Sequence, residues 1–119
     1  MSRGRKRKTV QKKPLEDCPL SEVTRRIHEI VAGQYSLSLP RSHGVPRMRQ
    51  RGIDDADIPY VLKRGRIIEK HSPGGQWRYT MRGKTTDGRE IDVSIAVDEG
   101  QSRITVVTVM PTTRKGEWR

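Results

Sequence analysis

Residues 42–53, SHGVPRMRQRGI, place His43, Arg47, Arg49 and Arg51 within nine positions. Arginine stays charged at any working pH and grips phosphate oxygens with two parallel donors. Histidine exchanges a proton near neutrality. Metal-free RNA cleavage, in which a ribose 2′-hydroxyl attacks its own phosphate, needs a base, an acid and cations facing the charge that develops on phosphorus. His43, Arg47 and Arg51 satisfy that inventory. A second reading stands beside it: His43 caps a helix, and both arginines pair with Asp54, Asp55 or Asp57. Other chemistries lack their residues, since the sequence has no glycine-rich phosphate loop, no His-Glu-x-x-His and no cysteine–histidine array. Asp54, Asp55 and Asp57 resemble a metal cluster, but helix capping accounts for them. Neither a metal nor a cofactor is expected. His71, beside a Pro-Gly turn, is expected at the surface.

The elements that must position this motif follow from periodicity. PLSEVTRRIHEIVAGQY predicts a helix with Ser21 as N-cap, Gly33 as stop and a stripe of Val23, Ile27, Ile30 and Val31. Arg25, Arg26 and His28 fall mostly off that stripe, and His28 reads as solvated. SLSLPRS reads as a connector. Pro46 suits a first helical position, so PRMRQR predicts a short helix on which Arg47 and Arg51 share a face beside Met48, with Arg49 nearly opposite. After Gly52, IDDADIPYVLKRG predicts another helix with Asp54 as N-cap, Asp57 three residues on and Ile53 stapled to Ile58. Its core stripe is Ile58, Val61 and Leu62, and Gly65 is its C-terminal cap.

From residue 66 the period changes to two, and RIIEKH, WRYTMRGK, EIDVSIAV and RITVVTVM read as strands. A three-residue loop, Thr86–Asp87–Gly88 with Gly88 left-handed, aligns Met81 with Val93 and Tyr79 with Ile95. It also sets Lys84 opposite Glu90 and Arg82 opposite Asp92. A Gly100–Gln101 turn pairs Asp98 with Arg103 and Val97 with Ile104. Arg78 then faces Ala96 without an acidic partner, and Thr108 falls on the apolar face.

At 119 residues with 31% hydrophobic content the chain is read as one domain with a modest core. The expected division is a flexible basic arm at 1–19, an α+β domain at 20–112 and a tail at 113–119. No apolar run approaches the ~20 residues that span a bilayer, and no apolar segment follows the basic start as in a secretory signal. Cys18 is the single cysteine, which fits a reducing cytoplasm. The net charge is +11, and residues 1–13 carry seven cations, among them Arg3, Arg5, Lys6, Arg7 and Lys8, with no acid. Such blocks commonly bind nucleic acid, with affinity that falls as salt rises. The arm together with Arg49 and Arg78 is the expected non-specific phosphate contact, and no membrane partner is expected.

The motif and its context carry a resemblance. HGVPRMRQRGI, then DI and VLKRGRIIE, then a strand ending ITVVTVM, resemble in order the bacterial family of domain of unknown function 4258, over roughly residues 23–110. That family is grouped with RelE/BrnT-like toxins of toxin–antitoxin systems. The resemblance implies N-terminal helices packed on a twisted, mainly antiparallel sheet of RelE/barnase-like kind. It further implies an mRNA endonuclease, ribosome-dependent or free, neutralised by a cognate antitoxin protein. His43, Arg47 and Arg51 match the family's signature polar positions, and Thr108 matches the threonine near the end of its last strand. Gly44, where the family often has alanine, and Pro46 depart from the pattern at His43. A non-catalytic nucleic-acid-binding or protein-interaction module is the alternative.

Overall fold

The alternating segments from residue 66 onward become four antiparallel strands in a computed structural model that describes residues 13–39 and 52–112. In chain order the elements are α1 (Leu20–Ala32), β1 (Ser36–Ser38), α2 (Asp57–Arg64), β2 (Arg66–His71), β3 (Arg78–Lys84), β4 (Glu90–Asp98) and β5 (Arg103–Pro111). The sheet is mixed and open, in the order β1-β5-β4-β3-β2, with β1 alone running parallel to its neighbour. β1 lies within SLSLPRS, which the sequence presents as a connector. Three residues are too few to show a period.

The hairpin registers match the sequence reading: Met81 opposite Val93, Tyr79 opposite Ile95, Lys84 opposite Glu90, and Asp98 opposite Arg103. Gly88 takes φ 89°, which a side chain would resist. Toward its C-terminal end β5 departs from simple alternation. Ile95 pairs with Val106 but Ser94 pairs with Thr108, so Val107 is an extra residue in the strand. A β-bulge of this kind shifts the alternation by one. Val109 is therefore the buried residue opposite Val93, and Thr108 is exposed on the other face. The expectation that Thr108 faces the core is corrected by that bulge.

The inner face of the sheet (Tyr79, Met81, Ile91, Val93, Ile95, Ile104, Val106, Val109) joins Val23, Ile27 and Val31 of α1 and Ile58, Val61 and Leu62 of α2 in one core. Leu15 and Cys18, counted with the arm in the sequence reading, are buried in that core as well. Helix α1 stops at Gly33 as expected, but Ser21 does not cap it. Pro19, with extended ψ of 161°, makes the break itself, and Ser21 lies inside the first turn. Pro59 falls in the first turn of α2, where a missing N–H costs no helical hydrogen bond.

Two residues of α1 that fall off its apolar stripe are nonetheless engaged by the fold, His28 among them against its solvated reading. Arg26 is buried and holds Glu99 with two bonds, Nη2 to Oε1 at 2.5 Å and Nε to Oε2 at 3.0 Å. His28 donates from Nε2 to the Gly65 carbonyl at 2.8 Å. On the same helix, the Thr24 hydroxyl accepts from the Ile67 backbone N–H at 2.8 Å. Together Thr24 and His28 satisfy backbone groups along the β2 edge, where a free strand would otherwise invite pairing with another chain.

α2 reaches β3 at a glycine pair. A methyl group on Gly65 would sit 2.6 Å from the Arg82 carbonyl and 2.8 Å from that of Val61, and one on Gly83 would sit 3.1 Å from the Gly65 Cα. The obstructing atoms at Gly65 are backbone and cannot swing aside. Gly65→Ala is expected to destabilise the fold by about 2–3 kcal/mol through overpacking, measured by urea unfolding. An unchanged midpoint would contradict this close approach.

Candidate nucleic-acid interface

The motif residues His43, Arg47, Arg49 and Arg51 lie outside the described residues, as do Arg3, Arg5, Lys6, Arg7 and Lys8 of the arm. What is described is the frame on both sides of the motif. β1 runs parallel to β5 from the Ser36–Arg103 pair to the Ser38–Thr105 pair, so Leu39 heads toward the end where β5 finishes opposite Ile91. The β3–β4 turn closes at that same end, with Lys84 opposite Glu90. There Arg89 donates from Nη2 to the Gly52 carbonyl at 2.6 Å, and Gly52 takes φ 76°. Gly52, where the described chain resumes, is thus held at that end of the sheet, while Leu39 leaves β1 one residue past the Ser38–Thr105 pair, partway along β5. The sequence reading gave Arg89 no role, because its partner lies 37 positions away.

Both helices pack on the inner face, so among the described residues no helix covers the outer one. Pairing fixes what that face presents: Arg66 beside Arg82, His71 beside Arg78, Thr80 beside Ser94, Ser94 beside Thr108, and Ser38 beside Thr105. Arg78 and Thr108, both expected site residues, therefore share one hydroxyl- and cation-bearing surface. They sit on different rows, since Thr108 opposes Ser94 while Arg78 adjoins Tyr79, which opposes Ile95. Arg78 donates to the Gln76 side chain at 3.0 Å, and its buried Nε has no hydrogen-bond partner among the described residues.

Acids temper this face. Arg82 donates to both carboxylate oxygens of Asp92, at 2.8 and 3.0 Å, and that pairing holds its guanidinium firmly charged. The other two expected pairs align in register without closing: Arg103 donates to Gln101, and Asp98 accepts from the Gln101 N–H. His71 is exposed, as expected.

Asp54, Asp55 and Asp57 do not assemble a metal site, and no such cluster exists among the described residues. Helix α2 begins at Asp57, so Asp54 precedes its cap. Asp57 is buried, accepting from the Asp54 N–H at 2.9 Å and from the N–H and hydroxyl of Thr86, both at 3.1 Å. It ties the start of α2 to the β3–β4 turn beside Gly52. Burial pushes its carboxyl pKa up, but the bonds from Asp54 and Thr86 outweigh burial and hold it below the usual value. A carboxyl depressed in the fold stabilises it above the unfolded pKa and loses that contribution as pH falls through the folded value. Stability should therefore drop on acidification below about pH 4, and Asp57→Asn should flatten that part of the profile. An identical acid limb in D57N, followed by thermal unfolding, would contradict the linkage.

Among the described residues, no helix is long and apolar enough to cross a membrane. No curated protein and no solved structure matches the chain. A family model described as Domain of unknown function (DUF4258) matches residues 41–111, a span that runs from the His43 motif through the sheet to the end of β5. That match takes in more than half of the sequence, and the chain, an α+β fold with an open five-stranded sheet, belongs to this family.

Proposed function

We propose that this protein binds RNA and cleaves it without a metal, as a toxin-like endoribonuclease of RelE/barnase-like kind held in check by a cognate antitoxin in the cytoplasm. The observation that carries this reading is the frame around the motif. Gly52, the first described residue after the motif, is held by Arg89 at one end of a sheet whose open outer face bears Arg82, Ser94 and Thr108, and β1 points from the Ser36–Arg103 pair toward that same end. That outer face carries hydroxyls and cations, a surface suited to a phosphodiester. In this scheme His43 moves the proton, the arginines face the phosphate, and Thr108 and Arg78 hold neighbouring nucleotides. The net charge of +11, concentrated in residues 1–13, supplies the long-range attraction.

RNA titration at two salt concentrations tests the binding half. Affinity should fall more than about 100-fold between 50 and 200 mM salt if the arm neutralises several phosphates. Affinity indifferent to salt would contradict it. One observation favours a second reading, a non-catalytic RNA-binding or protein-interaction module. Glu69, Glu90, Asp92 and Asp98 alternate with the outer-face cations, which suits a protein partner as well as a polyanion. Induced expression separates the two, because a ribonuclease toxin arrests growth and a binding module is tolerated.

A further inference from the structure

At the opposite end of the sheet lies a recess of about 380 Å³ lined by Pro14, Glu16, Trp77, Tyr79, Asp98 and Glu99, among others. Its chemistry is that of a receptor for a cation. Trp77 is 40% exposed there, one of two large hydrophobic side chains left open among the described residues. An indole face attracts ammonium and guanidinium groups. The carboxylates of Glu16 and Glu99 both act on the buried Tyr79 hydroxyl. Burial and these charges push it up to about 12.

Not all of that negative charge is spent inside the fold. Glu99 is held by Arg26, and Asp98 accepts from the Gln101 N–H. Lys70 is the nearby cation, but it donates to the backbone carbonyls of Glu16 and Cys18, at 2.7 and 3.0 Å, rather than to the Glu16 carboxylate. Glu16 therefore lines the recess without Lys70 on its carboxylate, next to an open indole.

We infer that this recess docks a cationic side chain of the protein's own N-terminal arm, from the Arg7–Lys8 pair. The chain itself argues for that occupant. Pro14 forms part of the wall, so the arm begins at the recess, and Lys8 stands six residues before it. Six residues reach at most about 20 Å, enough to turn back across the opening. The arm carries cations and no acid, while of the wall carboxylates Glu99 is paired with Arg26 and Glu16 and Asp98 form no ion pair among the described residues. Docking in this way parks part of the arm's charge at the end of the sheet away from Gly52 and the β3–β4 turn. RNA then competes with the recess for the arm. This inference does not rest on the catalytic reading and is testable without RNA.

The test is acrylamide quenching of Trp77 fluorescence in the full chain carrying Trp118→Phe, so that one indole reports. Replacing Arg3, Arg5, Lys6, Arg7 and Lys8 together by glutamine should raise the quenching constant at least about two-fold, the scale of one exposed cation–π contact. Glu16→Gln should do the same with the arm intact, as should 0.5 M salt. Equal quenching with the native and the glutamine-substituted arm overturns the proposal. Protection that depends on protein concentration in both chains also overturns it, because the occupant is then a second copy.

Discussion

Replacing His43 by alanine is expected to slow RNA cleavage by at least about 100-fold, the lower end of what a positioned acid–base group contributes. RNA affinity and unfolding midpoint should stay at their starting values, because binding is assigned to arginines and the arm. Arg47→Lys and Arg51→Lys sharpen the test. Each keeps the charge but loses the two-pronged grip on phosphate, so cleavage should fall while salt-dependent binding persists. Cleavage by H43A at the native rate would remove histidine from the chemistry and leave the motif as a binding surface. The measurement is a single-turnover cleavage time course beside a binding titration on the same RNA.

The second large effect belongs to the fold. Arg26→Ala should cost about 3 kcal/mol in urea unfolding, since truncating one partner of a buried pair strands the other. Arg26 is 3% exposed and Glu99 26% exposed at the side chain, so water can reach part of the orphaned carboxylate. The loss also strips a donor from Cys18, whose Sγ accepts from Arg26 Nη1 at 2.9 Å. Arg26→Met with Glu99→Gln keeps the volume and removes both charges, and should recover most of the stability. A cost below 1 kcal/mol for R26A would mean that the pair is dispensable to the packing of α1 on the β4–β5 turn.

Why Arg26 was illegible in the sequence is instructive. It sits next to Ile27 on α1 and its partner is 73 positions away, so neither periodicity nor spacing announces the contact. His28 and Arg89 are missed for the same reason, each being bonded to a backbone carbonyl 37 positions distant. What was legible is local. Four strands, the Gly88 turn and the register of β3 on β4 follow from alternation plus cross-strand pairing of Arg82 with Asp92. Alternation fails where the backbone adds a residue, at Val107, and that one insertion carries Thr108 from the core face to the open face. The change matters for function, because an exposed threonine can meet a ligand and a core threonine cannot. The capping aspartates were half legible: the link between Asp54 and Asp57 follows from their spacing, whereas the bonds to Thr86 depend on the tertiary fold.

The central claim, that the chain cuts RNA without a metal, is tested most directly by incubating the purified protein with a defined RNA in EDTA, and separately with translating ribosomes at their working magnesium concentration. The products are then resolved by end analysis. Attack by the 2′-hydroxyl predicts fragments ending in a 2′,3′-cyclic phosphate in at least one of the two mixtures, and none with His43→Ala. Intact RNA in both mixtures, or fragments that H43A produces equally, would contradict it.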